Sequence, residues 1–64
     1  MTLNGNTVRR LRKDKKLSQF DVSVELGTDR QIISKIENNG YKNISLYQAF
    51  RLAKFFECKI EDML

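Results

Sequence analysis

The residues best equipped for chemistry lie in the stretch "RQIISKIE", Arg30 to Glu37. If Ile33 and Ile36 point inward, the remaining face carries Arg30, Gln31, Ile32, Ser34 and Lys35. A guanidinium and a carboxamide are forked groups. Arginine donates two N–H bonds to the edge of guanine, glutamine pairs two-pronged with adenine, and an aliphatic side chain touches the thymine methyl. This is recognition chemistry, with no bond made or broken. The sequence has little for covalent work: no histidine, one cysteine (Cys58), and no glycine-rich phosphate loop. A zinc site would need a Cys/His set that is missing. No enzyme, metal or cofactor is expected, and the acidic neighbours Asp21/Glu25 and Glu61/Asp62 read as solvated helix surface.

Charge points the same way. The chain of 64 residues carries 12 Lys and Arg against 8 Asp and Glu, a net charge of +4. Up to Asn43 there are nine basic and five acidic residues, and from Ile44 onward three of each cancel. The positive field thus belongs to the first two thirds, which favours a polyanionic partner. The run Arg9–Lys16 is open to two readings, a solvated face or part of that field. No apolar run approaches the roughly 18 residues of a membrane span, and Val8 and Leu11 give "RRLRKDKK" too thin an apolar face for membrane binding. A lone cysteine forms no intrachain disulfide and fits a reduced, cytoplasmic setting. One domain covering residues 1–64 is expected.

The elements that must position these residues are helical. There is no proline and little alternation, and apolar residues recur at helical spacing. Asn4 or Asn6 is placed to cap a first helix of roughly Thr7 to Lys15, with Val8, Leu11 and Arg12 on its inner stripe and Leu17 anchoring the turn after it. Ser18 caps a second helix, Gln19 to Leu26, and Asp21 stands where a carboxylate reaches back to the cap. Val22 and Leu26 face inward, Ser23 is small, and Gly27 suits the left-handed conformation that ends a helix. Asp29 caps a third helix, about Arg30 to Asn38. After the loop "ENNGYKN", Ser45 caps a fourth, Leu46 to Phe56, with Leu46, Ala49, Leu52, Ala53 and Phe56 on its buried side. Cys58, Ile60, Met63 and Leu64 are expected in a last short turn. Two short helices joined by a tight glycine turn can cross at about 90–120°, the helix-turn-helix arrangement.

With "LRKDKKLSQFDVSVELG", "ISKIEN" and "SLYQAFRLAKFFECKIEDML" in place, the chain resembles the phage-repressor and Cro type of helix-turn-helix domain, the XRE family, from about Val8 to Leu64. The resemblance implies an all-α, compact, lambda-repressor-like fold of five helices, with helix 3 offered to DNA. It also implies that Arg30, Gln31 and Ile32 lie at the reading end of helix 3, that Gln19 contacts the DNA backbone, and that Arg12 and Glu37 form a partly buried ion pair. Three departures stand out. Glu57 replaces a usual glycine after helix 4, Ile44 replaces a common proline, and Asp29 replaces Ser or Thr at the start of helix 3.

Alternatives remain at individual positions. Arg30 and Lys35 suit a base or a phosphate, and Ile32 is an outward contact or a peripheral core residue. Asp29 is a cap, a repulsive charge near phosphate, or an acceptor for a cytosine amino group. Helix N-termini attract phosphate, so Ser18 and Gln19 are phosphate candidates. Thr28, Asn38, Asn39, Tyr41, Lys42 and Asn43 flank helix 3 and extend the set.

Phe20, Val24, Tyr47, Phe50 and Phe55 are more apolar than outward positions require. Phe50 and Phe55, with Met63 and Leu64, would make a homodimer surface, and dimers of this type bind half-sites about 34 Å apart. The expected function is a sequence-specific double-stranded DNA-binding transcription regulator, a repressor at a pseudo-palindromic operator. A restriction–modification controller is one form of this. The alternative is an antitoxin or accessory module whose apolar outer face grips a partner protein.

Overall fold

Caps decide where each helix begins. The computed structural model describes all 64 residues. Helix α1 runs Gly5–Asp14, α2 Gln19–Leu26, α3 Arg30–Glu37 and α4 Leu46–Phe56, and a 3-10 turn follows at Ile60–Met63. Asn4 caps α1 by accepting the N–H of Thr7 at 3.1 Å. Helix α1 therefore starts two residues before the expected Thr7, since this cap outweighs the low helix propensity of Gly5. Ser18 and Asp21 form a reciprocal capping box on α2, and Ser45 and Gln48 form another on α4. Both helices have the predicted bounds. Helix α3 ends one residue earlier than expected, with Asn38 as its cap.

Between α2 and α3, Gly27 has φ +71°, and the N–H of Thr28 returns to the Ser23 carbonyl at 3.0 Å. A Cβ at Gly27 would meet nothing within 4 Å. Backbone conformation, not crowding, is what calls for glycine here. Buried Ser23 donates its hydroxyl to the Phe20 carbonyl at 2.6 Å.

The core is filled by Val8 of α1, Val22 and Leu26 of α2, Ile33 and Ile36 of α3, and Ala49, Leu52, Ala53 and Phe56 of α4. Leu3, Ile44 and Met63 complete it from outside the four helices. The segment before α1 is built into the fold. The Asn4 N–H donates to the Met63 carbonyl at 2.6 Å, and the Gly5 N–H donates to Asn39 Oδ1 at 2.7 Å. Gly5 lies directly against the backbone of Ile36 and Glu37, where a side chain would collide with their carbonyls.

Three expectations need correction. The implied fifth helix is a single 3-10 turn of four residues, bonded from Asp62 to Lys59 and from Leu64 to Glu61. The fold thus has four α-helices. Leu46 is 65% exposed instead of buried. It shares a stripe with Ala49 and Ala53, but helix side chains lean toward the N-terminus, and from the first position of α4 that direction leads past the edge of the core. Finally, Met63 is fully buried and is unavailable to a dimer surface, while Leu64 is exposed.

Glu57, in the usual glycine's place, adopts the left-handed conformation itself, with φ 58° and ψ 44°. Ile44, in the common proline's place, is a core residue.

Candidate nucleic-acid interface

Helix α3 buries Ile33, Ile36 and Glu37, and this fixes what the other side presents. Arg30, Gln31 and Lys35 are exposed, while Ile32 and Ser34 are half-buried. Ile32 packs partly against the core, midway between its two expected roles. Asp29 accepts the Ile32 N–H at 2.9 Å, so its carboxylate caps the helix. It forms no ion pair with Arg30. Neither Arg30 nor Gln31 uses its side chain in a hydrogen bond within the chain, and both forks are free.

Acidic partners lie elsewhere. Arg10 pairs with Asp14, Lys15 with Glu57 and Arg51 with Glu25, all at the surface. Arg9 and Arg12 meet at Glu37. Three carboxylates thus offset part of the Arg9–Lys16 run, while Lys13 and Lys16 have no acidic partner. Arg30, Lys35 and Lys42 have no acidic partner, which leaves uncompensated positive charge on α3 and the loop after it.

Glu37 is the fixed point behind α3. Its side chain has no exposure. Arg12 grips both oxygens, Nε to Oε2 at 2.6 Å and Nη2 to Oε1 at 3.0 Å, and donates Nη1 to the Leu17 carbonyl at 2.9 Å. Gln19 Nε2 reaches Oε1 at 3.2 Å and Arg9 Nε reaches it at 3.4 Å. Burial alone would raise the Glu37 pKa. The hydrogen bonds from Arg12 and Gln19, the Arg12 charge and the Arg9 bond outweigh it and hold the carboxyl below its usual range. The same bonds to Glu37 raise the Arg12 guanidinium against the effect of burial. The pair expected from the resemblance is present, in the bidentate geometry that gives arginine–carboxylate contacts their strength. With the Gln19 bond, it ties the last turn of α1 and the start of α2 to the end of α3.

The other candidates divide by what already holds them. Ser18 is engaged in the α2 cap. The Gln19 amide gives one of its two N–H groups to Glu37, which leaves the other and the backbone N–H for an anion. Thr28 is half-buried, and Lys42 and Asn43 are exposed. Asn38 Oδ1 accepts from Arg9 Nη2 at 3.1 Å, and its amide leans on Ser34 Oγ at 3.4 Å. Asn39, with φ 59°, spends its carbonyl oxygen on Gly5. Tyr41 packs partly on the core. Arg9 is the residue sequence reasoning missed at this face. It stood among unassigned cations, and only the path of α1 past the end of α3 distinguishes it.

A short, rigidly held helix with free forked groups at its tip, behind a glycine turn, defines a helix-turn-helix reading unit. A family model described as "Helix-turn-helix" matches residues 8–63, and the chain belongs to that family in its Cro/C1-type, XRE form. An uncharacterized HTH-type transcriptional regulator of Methanocaldococcus jannaschii is 43% identical over 58 residues, covering 91% of this chain and 86% of that protein. Among solved structures, the restriction-modification controller protein C.AhdI from Aeromonas hydrophila is 30% identical, with TM-score 0.79 over 94% of this chain and 89% of its own. SinR, the master regulator for biofilm formation, solved in complex with DNA, shares the fold at 22% identity and TM-score 0.82, covering 94% and 98% of the two chains. Hydroxypropylphosphonic acid epoxidase from S. wedmorenis also contains the fold, at 19% identity and TM-score 0.83. There the match spans 91% of this chain but only 30% of the enzyme, and at that identity it speaks of fold alone.

Proposed function

We propose that residues 1–64 act as one sequence-specific, double-stranded DNA-binding domain of a transcription regulator, a repressor that occupies a pseudo-palindromic operator. The observation that carries this reading is α3 itself. Its apolar side is buried, while Arg30, Gln31 and Lys35 stand outward with no partner in the chain. The major groove admits one α-helix and shows each base pair as a distinct donor and acceptor pattern. In this reading Arg30, Gln31, Ile32 and Lys35 face base edges. The first N–H groups of α2, with Thr28, Asn38, Lys42 and Asn43, face phosphates. Cytoplasmic DNA is the fitting partner. Selecting bound sites from a random duplex pool tests the proposal, and failure of any sequence to enrich over successive rounds would defeat it.

The regulator works as a homodimer in this reading. Leu46, Tyr47 and Phe50 of α4, with Ile60 of the 3-10 turn, line one apolar groove, and Phe50 is 50% exposed. A second copy covering this groove would present two α3 helices to one face of the duplex. Sedimentation with duplex DNA present should show two proteins per site, and one per site would remove the dimer.

The same exposed apolar residues, together with Phe20 and Val24 on α2, favour the second reading, in which an antitoxin or accessory module binds a partner protein. In that case pull-down would recover a stoichiometric partner, and duplex binding would stay weak at every salt concentration.

A further inference from the structure

We infer that Arg9 is a DNA-phosphate contact, set at the far end of α3 by Glu37 and Asn38. The inference rests on the DNA-binding reading above.

Three observations support it. The first is place. Arg30, Ser34 and Asn38 are spaced four apart and form one stripe along the outside of α3. Asn38 leans on Ser34, and Arg9 Nη2 donates to Asn38 Oδ1 at 3.1 Å. The guanidinium of Arg9 thus continues the stripe of α3 onto α1, with its side chain 40% exposed.

The second is charge. Glu37 carries one negative charge and is already held bidentate by Arg12 at 2.6 and 3.0 Å. Arg9 touches the same carboxylate through Nε alone, at 3.4 Å. Two arginines on one carboxylate leave a positive charge over. Arg12 is nearly enclosed, with 11% of its side chain exposed, so the surplus is presented to solvent at Arg9.

The third is unused capacity. A guanidinium has five N–H donors. Arg9 uses one on Glu37 and one on Asn38, which leaves three without a partner in the chain. Nothing has to break before a phosphate oxygen is accepted. The side chain is already held in place, so little rotamer freedom is lost on binding.

The test uses one mixed-sequence 20-base-pair duplex, because phosphate contacts carry no sequence information. Binding is measured over a range of salt concentrations for the parent chain, Arg9→Gln and Arg9→Met, and for Lys54→Gln as a control on the exposed face of α4. Each neutralised phosphate contributes about 0.9 to the slope of log K against log salt. Arg9→Gln and Arg9→Met should each flatten the slope by about that amount, and Lys54→Gln should leave it unchanged. Thermal melts identify a variant that fails to fold, and the other then carries the test. A slope unaltered in a folded Arg9 variant overturns the inference, as does an equal loss in Lys54→Gln, which would reflect net charge alone. If the parent chain shows no salt-dependent duplex binding, the DNA-binding reading falls, and this inference with it.

Discussion

Arg12 holds both oxygens of Glu37, at 2.6 and 3.0 Å, across the gap between the first and third helices. Breaking a buried pair leaves an uncompensated charge, so Arg12→Met should cost about 3–5 kcal/mol, toward the lower end because Arg9 and Gln19 remain beside Glu37. Urea unfolding measures this. The double change Arg12→Met with Glu37→Leu should recover much of the loss, and an unchanged midpoint in the single variant would show that the pair contributes nothing.

The pair also sets an acid limit. The folded Glu37 carboxyl lies below its usual range, so the folded state gives up this proton more readily than the unfolded one. Its stabilisation is complete above the unfolded carboxylate pKa of about 4.3. It is lost as pH falls through the lower folded value. Thermal midpoints should be flat through neutral pH and decline once pH drops below about 4.3, and Glu37→Gln should remove part of the decline.

Gly5→Ala should destabilise the fold even though alanine is the better helix former. The new methyl would press on the carbonyls of Ile36 and Glu37, backbone atoms that cannot rotate aside. Overpacking of this kind costs about 1–3 kcal/mol, against about 1 kcal/mol gained in helix propensity. A raised melting temperature would contradict the close approach of α1 to α3.

Gly27 and Glu57 share a left-handed backbone, yet only one is glycine. Glu57→Gly should stabilise by about 0.5–1 kcal/mol, because the Cβ penalty of about 1–2 kcal/mol exceeds the unfolded-state entropy that glycine adds. The exposed Lys15 contact at 3.5 Å is worth little. Gly27→Ala should lose about 1 kcal/mol through conformation alone, since the space around it is open. Calorimetry on the two variants should give shifts of opposite sign.

Gln31→Ala should lower affinity for the selected site by about 1–3 kcal/mol and leave mixed-sequence binding and its salt slope unchanged. Competition between the two duplexes measures this. Equal weakening on both would make Gln31 a phosphate contact.

Much of this was legible because it is local. Ser18, Asp21, Gly27 and Ser45 mark helix ends through bonds within four residues, and α2 and α4 fell where these residues put them. Ile33 and Ile36 follow from spacing. The Arg12–Glu37 pair was visible only through family resemblance, since nothing local joins residues 25 positions apart. What escaped depends on distant chain. Leu3 and Ile44 lie outside any periodic stretch, so no pattern marks them as core. Gly5 looks like a linker glycine until α3 is seen against it. Leu46 fits the buried stripe of α4, and only the edge of the domain exposes it.

The free tip of α3 has a consequence for how such a protein can change. Arg30 and Gln31 support nothing else in the chain, while Glu37, seven residues on and about 10 Å along the rod, carries the mechanical attachment. The two tasks are assigned to opposite ends of one short element. If the tip reads bases as proposed, single replacements there would redirect the protein to a new address in a genome while the scaffold folds as before, leaving target preference free to drift and the mounting slow to.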